Sequence, residues 1–168
     1  RGKIYFRRTR KITKICKNFE NIMQTEPQKV KHILLVGNPN VGKSTIFNLL
    51  CNKNQKTGNY AGVTVASHQG TYIHQGEEVE IVDLPGSYSI YPTSEDEAIF
   101  TKYLIEEQEK YSGVIYIADA LNLKRSLLLF QQIKDLGIPV LVVLNQMDLA
   151  EKRGLHIDSK KLETLIGN

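Results

Sequence analysis

Residues 37–44 read Gly37-Asn38-Pro39-Asn40-Val41-Gly42-Lys43-Ser44, and Thr45 follows. No other segment constrains the chain as strongly as this G-x-x-x-x-G-K-S pattern. It comes directly after the apolar run 33–36 and opens a helical pattern at Lys43, the strand–loop–helix context that a phosphate-binding loop needs. Its glycines let successive N–H groups turn inward and form a nest for a polyphosphate. The helix start adds unpaired N–H groups and a positive dipole end. Lys43 is placed to reach the β- and γ-phosphates of a nucleotide, and Ser44 to offer its hydroxyl to Mg²⁺.

From His32 onward, apolar strands alternate with helical patterns. Strands are expected at 33–36, at 69–74 with 79–83 as a hairpin, at 113–119 and at 139–145. Helices are expected at 43–52, 95–108, 123–136 and 159–166. Continuous apolar strands separated by helices predict an α/β fold with a mostly parallel sheet covered by helices on both faces. Ligands in such sheets bind beyond the carboxyl ends of the strands, and every motif singled out here sits at such an end. With 41% apolar and 24% charged residues among 168, the chain has the composition of an ordinary globular domain. No apolar run approaches the roughly 20 residues of a membrane-spanning helix, and no signal peptide is visible. Cys16 and Cys51 lack metal-ligand spacing and predict a reduced, cytoplasmic protein.

Charge divides the chain. Residues 1–32 hold ten Lys/Arg against two Asp/Glu, a net of +8, while the remainder holds twelve against sixteen, a net of −4. Residues 1–31 therefore read as a basic N-terminal extension or linker, and residues 32–168 as the nucleotide domain. Within the extension, Ile12, Ile15, Phe19 and Ile22 recur at spacings of three and four, as in an amphipathic helix over 11–24. Such a helix has three uses open to it: docking on the domain or on another part of the protein, lying on an anionic membrane or RNA, or serving as a loosely ordered linker.

Asp83-Leu84-Pro85-Gly86 closes the strand 79–83, about forty residues after the phosphate loop. An Asp there can hold a Mg²⁺-bound water, and the Gly86 N–H can meet the γ-phosphate. Asn145-Gln146-Met147-Asp148 closes the strand 139–145. The Asp148 carboxylate can accept both N1–H and the exocyclic amine of guanine, a pairing adenine does not offer, so the wrong base would leave polar groups unpaired. Between these motifs lies Gly58-Asn59-Tyr60-Ala61-Gly62-Val63-Thr64-Val65. Thr64 suits a switch loop, its hydroxyl on Mg²⁺ and its N–H on the γ-phosphate; within its β-branched surroundings it suits equally the start of a strand.

Together these motifs resemble the P-loop GTPases of the Ras-like fold. The phosphate loop, the Gly58–Val65 segment, Asp83-Leu84-Pro85-Gly86-Ser87-Tyr88-Ser89 and Asp119-Ala120-Leu121-Asn122-Leu123 are similar to the G domain of the FeoB family of bacterial ferrous-iron transport proteins, over about residues 32–167. The resemblance implies a slow, potassium-stimulated GTPase on the cytoplasmic face of the inner membrane, forming the N-terminal part of a polytopic protein. Gly37 to Thr45, Gly62, Val63, Thr64, Asp83, Gly86, Asn145, Gln146 and Asp148 would bind GTP or GDP. Ser44, Thr64 and, through water, Asp83 would hold Mg²⁺. Asn40 would hold K⁺, in place of an arginine finger, or is a turn former beside Pro39. Asn40, Lys43, Thr64 and Gly86 are the groups expected to act in hydrolysis. Ser87 stands where Ras and Gα carry a water-orienting glutamine, which agrees with slow chemistry; Glu95 and Asp96 read as acidic residues opening a helix.

Gln146 stands where most GTPases have lysine, a position at which the FeoB family itself varies, and the chain ends before the family's final strand, so that its sheet is expected to be one strand short. Guanine nucleotide, the membrane-transport part of the same polypeptide and a second copy of the chain are the expected partners; nucleic acid is not. His32, His68, His74 and His156 are scattered and form no iron site. The alternative function is an RNA- or ribosome-associated assembly GTPase that uses the basic N-terminal arm.

Overall fold

A computed structural model of the chain describes residues 3–6, 31–51, 55–60, 65–74 and 77–167, with the backbone alone at 3–6, 31 and 74. Its frame is a seven-stranded sheet. The strands are β1 (Lys3–Phe6), β2 (Lys31–Gly37), β3 (Gln55–Asn59), β4 (Ala66–His74), β5 (Glu77–Asp83), β6 (Gly113–Asp119) and β7 (Val140–Asn145), in the spatial order β1-β7-β6-β2-β5-β4-β3. The five strands from β1 to β5 in that order run parallel. The β3–β4–β5 end is antiparallel. Among the described residues five α-helices accompany them: α1 (Lys43–Cys51), α2 (Glu95–Thr101), α3 (Leu123–Asp135), α4 (Met147–Lys152) and α5 (Ser159–Gly167).

The apolar runs are buried on both faces because side chains alternate across a strand. Ile33 and Leu35 of β2, Ile115 and Ile117 of β6, and Leu141 and Val143 of β7 face one side, with Ile46, Phe47 and Leu50 of α1. Leu34, Val36, Val114, Tyr116, Val142 and Leu144 face the other, with Phe100 of α2, Leu129 and Ile133 of α3, and Leu162 and Ile166 of α5. Each large side chain buried this way contributes about 1.5–3 kcal/mol relative to exposure. The polar edge strand β3 is exposed at all five positions, which is why no hydrophobic pattern announces it.

The helix expected over 95–108 is interrupted. Ser94 caps α2, accepting from Glu97 N, and Glu95, Asp96 and Glu97 sit at its positive end. At its last residue, Thr101 Oγ1 donates to Ile90 O at 2.7 Å and lies 2.9 Å from Glu97 O. The next turn, Lys102–Glu106, widens to a π-helix, with Glu107 N donating to Lys102 O. A short 3₁₀ turn, Gln108–Lys110, follows. The α3 helix ends at Asp135, with Gly137 in the left-handed region (φ 77°), the usual glycine stop.

The edge of the sheet next to β7, expected to be one strand short, is occupied by β1. Lys3 to Phe6 pair with Leu141 to Leu144 in parallel register, and the β-branched and aromatic content of Lys-Ile-Tyr-Phe suits a strand. The amphipathic pattern at 11–24 lies outside the described residues.

One side chain ties this frame to the phosphate loop. Tyr116 of β6 is fully buried, and its hydroxyl lies 2.6 Å from Ser126 O of α3 and 2.9 Å from the Asn38 side-chain amide. A hydroxyl has one proton to give. It is shared between two acceptors, Ser126 O and Asn38 Oδ1, and Asn38 Nδ2 is a buried nitrogen without a partner among the described residues. Tyr116→Phe is therefore expected to leave the buried Asn38 side chain without this partner, while Ser126 O keeps its intrahelical bond. The loss is about 1–3 kcal/mol, a fall in Tm of roughly 3–10 °C in a thermal unfolding scan; an unchanged Tm would show that the hydroxyl does not hold the loop.

Candidate functional site

The predicted residues converge where β2, β5, β6 and β7 end. Gly37 ends β2, residues 38–42 form the turn to α1, and Lys43, Ser44 and Thr45 open the helix. Two loop residues take left-handed backbone, Asn40 (φ 63°) and Gly42 (φ 83°). Asparagine tolerates that conformation; at Gly42 any side chain is also barred by contact, since a Cβ would lie 2.5 Å from Asn145 Nδ2. Asn38 is buried, while Asn40, Ser44 and Thr45 are exposed at the mouth of the loop.

Lys43 Nζ is paired with Asp83 Oδ1 at the end of β5, and both side chains are largely shielded from solvent. Burial pushes the Asp83 carboxyl above its ordinary range, while Lys43 and then His68 pull the other way. Tyr60, buried just after β3, donates its hydroxyl to Asp83 O at 2.5 Å and packs edge-on against Tyr103. It pins the start of the segment that carries Gly62, Val63 and Thr64, which themselves lie outside the described residues.

Gly86 approaches the phosphate loop so closely that a Cβ would sit 3.0 Å from Pro39 Cα. Ser87 N donates to Gly37 O. The Ser87 hydroxyl is buried and donates to Ser89 O at 2.6 Å, with Glu97 Oε1 at 3.3 Å. Glu97 also accepts from Thr93 N and Oγ1, which holds its carboxyl below the ordinary range. Ser87 thus points into the protein as a strut, not toward an attacking water. Arg125 of α3 stacks over the Tyr88 ring at 3.7 Å, and Ile90 N donates to the Gln132 side chain. Glu95 and Asp96 are exposed in the first turn of α2.

The third motif is joined to the first. Asn145 Nδ2 donates to Val41 O at 2.8 Å, and Gln146 Nε2 donates to Asn40 O at 3.2 Å. Gln146 is left-handed (φ 61°) and turns the chain directly into α4, which begins at Met147. Asp148 lies exposed in its first turn. The neighbouring end of β6 is held by Asp119, whose carboxylate accepts from Leu121 N and Asn122 Nδ2 and whose N–H donates to Ser126 Oγ.

Sequence patterns thus located both ends of the site, but not Tyr60, Tyr116 and Ser87, whose roles depend on partners 23, 78 and 10 positions away. The Asn145 amide nitrogen also joins the third motif to the loop. The oxygen-rich donors Ser44 and Asp83 fit a hard cation such as Mg²⁺. Among the described residues, no helix is long and apolar enough to cross a membrane.

Residues 31–168 match the family described as Ferrous iron transport protein B. The Fe(2+) transporter FeoB of Leptospira biflexa is 47% identical over 139 residues, covering 83% of this chain and 20% of that protein. Its Legionella pneumophila counterpart is 46% identical over 140 residues, covering 81% and 18%. The cytosolic domain of L. pneumophila FeoB superposes with a TM-score of 0.77 at 46% identity, covering 82% of this chain and 59% of that one. The G domain of T. maritima FeoB does so with a TM-score of 0.75 at 34% identity, covering 82% of each chain. The chain therefore spans about a fifth of the length of the transporters it matches. With its phosphate loop, strand order and base motif in place, the chain belongs to the ferrous iron transport protein B family, over the part that its relatives fold as a G domain.

Proposed function

We propose that this chain binds GTP and GDP, hydrolyses GTP slowly, and serves as the switch domain of a ferrous-iron transporter on the cytoplasmic face of the membrane. The observation that carries this reading is the pair of hydrogen bonds from Asn145 and Gln146 to the phosphate loop. They support it by tying the turn that leads to Asp148, the proposed base reader, to the loop that leads to Lys43, the proposed phosphate ligand. FeoB structures from T. maritima in GDP and GMPPNP forms support the same ligand class.

The phosphates would lie along the loop's N–H groups and the start of α1. Ser44, Asp83 and Thr64 would hold Mg²⁺, which neutralises charge on the β- and γ-oxygens when bound. Lys43 must leave Asp83 to meet the phosphates, so nucleotide and the ion pair compete. The exposed Asn40 amide is free to offer its oxygen to K⁺ beside the phosphates. Thr64 and Gly86 would present N–H groups to the γ-phosphate, and the Ser87 strut would carry the state of Gly86 to α2. With Ser87 turned inward, water activation is weak and turnover slow. The membrane-transport part of the same polypeptide is the natural receiver of the switch, with self-association between G domains as a second contact. Family membership favours this reading over an RNA-associated GTPase.

GTP hydrolysis measured in potassium and in sodium tests the cation role. The rate is expected to be at least about tenfold higher in potassium and Asn40→Ala to fall to the sodium rate; equal rates in both salts would refute it. The competition is tested by GDP binding without Mg²⁺. Asp83→Asn, which frees Lys43, is expected to bind roughly three- to tenfold more tightly than the parent chain; equal or weaker binding would mean the pair does not restrain the empty site.

A further inference from the structure

We propose that Asn38 distinguishes a nucleoside triphosphate from a diphosphate, its side-chain N–H bonding the Gly86 carbonyl once Gly86 turns its own N–H to the γ-phosphate. The role rests on the nucleotide reading proposed above and adds to it a residue that reads the state of the site. One buried amide is unevenly paired. Asn38 is 4% exposed, and its Oδ1 accepts from the Tyr116 hydroxyl at 2.9 Å. Its Nδ2 is the one buried side-chain nitrogen or oxygen without a partner among the described residues. A buried donor is costly to leave unpaired. An orphan of this kind in a native fold calls for a cause, either a partner supplied in another state or a bound water.

The surroundings of Asn38 point to one segment. Side chains alternate across β2, so Asn38 follows Leu34 and Val36 onto the face that holds α3. There it meets Tyr116, which is itself bonded to Ser126 O of α3. The third element at that place is the stretch 86–90. Gly86 rests on Pro39, and Ser87 N donates to Gly37 O at 3.3 Å, so the stretch touches the loop on either side of Asn38. It then runs on along α3, with Tyr88 on Arg125 and Ile90 N on Gln132. The Ser87 hydroxyl is engaged with Ser89 O and Ser89 N, which leaves backbone carbonyls as the acceptors on offer.

The Gly86–Ser87 peptide has two ways to meet the loop. It is planar and trans, so while Ser87 N–H points to Gly37 O, the Gly86 carbonyl points away from the loop. Turned over, the same peptide gives up that long hydrogen bond and presents its carbonyl to Asn38 Nδ2. Gly86, without a side chain, leaves the turn open, whereas a Cβ there would press on Pro39. Each arrangement has one hydrogen bond to the loop, so a modest difference in what the Gly86 N–H finds in front of it selects between them. The Gly86 N–H has that acceptor in a triphosphate and lacks it in a diphosphate.

Calorimetric titration of the full chain and of Asn38→Leu with GMPPNP and with GDP, each with Mg²⁺, tests the assignment. Leucine has the branched shape of asparagine and no donor. The preference for GMPPNP over GDP is expected to fall about three- to tenfold in Asn38→Leu, the loss of one hydrogen bond in the triphosphate state alone; an unchanged ratio would overturn the proposal. A second measurement needs no substitution. In the ¹⁵N–¹H spectrum of the parent chain, the Asn38 side-chain amide protons are expected to shift downfield with GMPPNP and not with GDP. Equal shifts with both ligands, or none with either, would assign the nitrogen to a bound water and overturn the proposal as well. A parent chain that binds both nucleotides with these readouts flat would refute the role of Asn38 and leave the proposed function standing; one that binds neither would remove both.

Discussion

Val41 O, Gly42 and the Asn145 amide meet at the centre of the site, and most of its geometry depends on that meeting. Asn145 ends β7 and Val41 lies between β2 and α1, so one hydrogen bond of 2.8 Å joins two strands that are not neighbours. It needs a backbone at Gly42 that is left-handed and has no side chain. A buried amide committed to a carbonyl is costly to release, so the phosphate loop and the start of α4 keep their spacing. The Tyr116 hydroxyl secures the same loop from below through Asn38.

The opposite side of the loop is held by an ion pair and by close packing. Lys43 is held by a carboxylate that burial makes an unwilling anion, and the backbone of that Asp83 anchors Tyr60 at the head of the Thr64 segment. Gly86 rests against Pro39, and Ser87 connects onward through Glu97 to α2, while Tyr88 and Ile90 meet Arg125 and Gln132 of α3. A ligand that draws Lys43 away therefore acts on contacts reaching two helices on one face of the sheet. Under the proposed function the Asn145 side would hold while the Lys43 side responds, the arrangement a nucleotide-dependent switch needs.

The parallel core was legible because β2, β6 and β7 are buried on both faces and so read as unbroken apolar runs. β3 was not, since Gln-Lys-Thr-Gly-Asn has no face to bury. The break after Thr101 was hidden as well, because its cause is a hydroxyl reaching Ile90 O, eleven residues back. β1 is four residues long, is followed by basic residues, and is recognisable only by its pairing with β7. In the site, glycine spacing and the acidic strand end revealed which residues gather. They did not reveal that Asn145 holds the loop, or that Ser87 points inward, because both depend on long-range partners that no local pattern encodes.

That the two ends of the site together select a guanine nucleotide is the central claim, and base preference tests it most directly. Calorimetric titration of the full chain with GDP and with ADP, both with Mg²⁺, compares ligands that share the loop and differ only at the base. The account predicts that GDP binds at least about a hundredfold more tightly, because adenine leaves the Asp148 carboxylate without its two donors. Comparable affinities would contradict it.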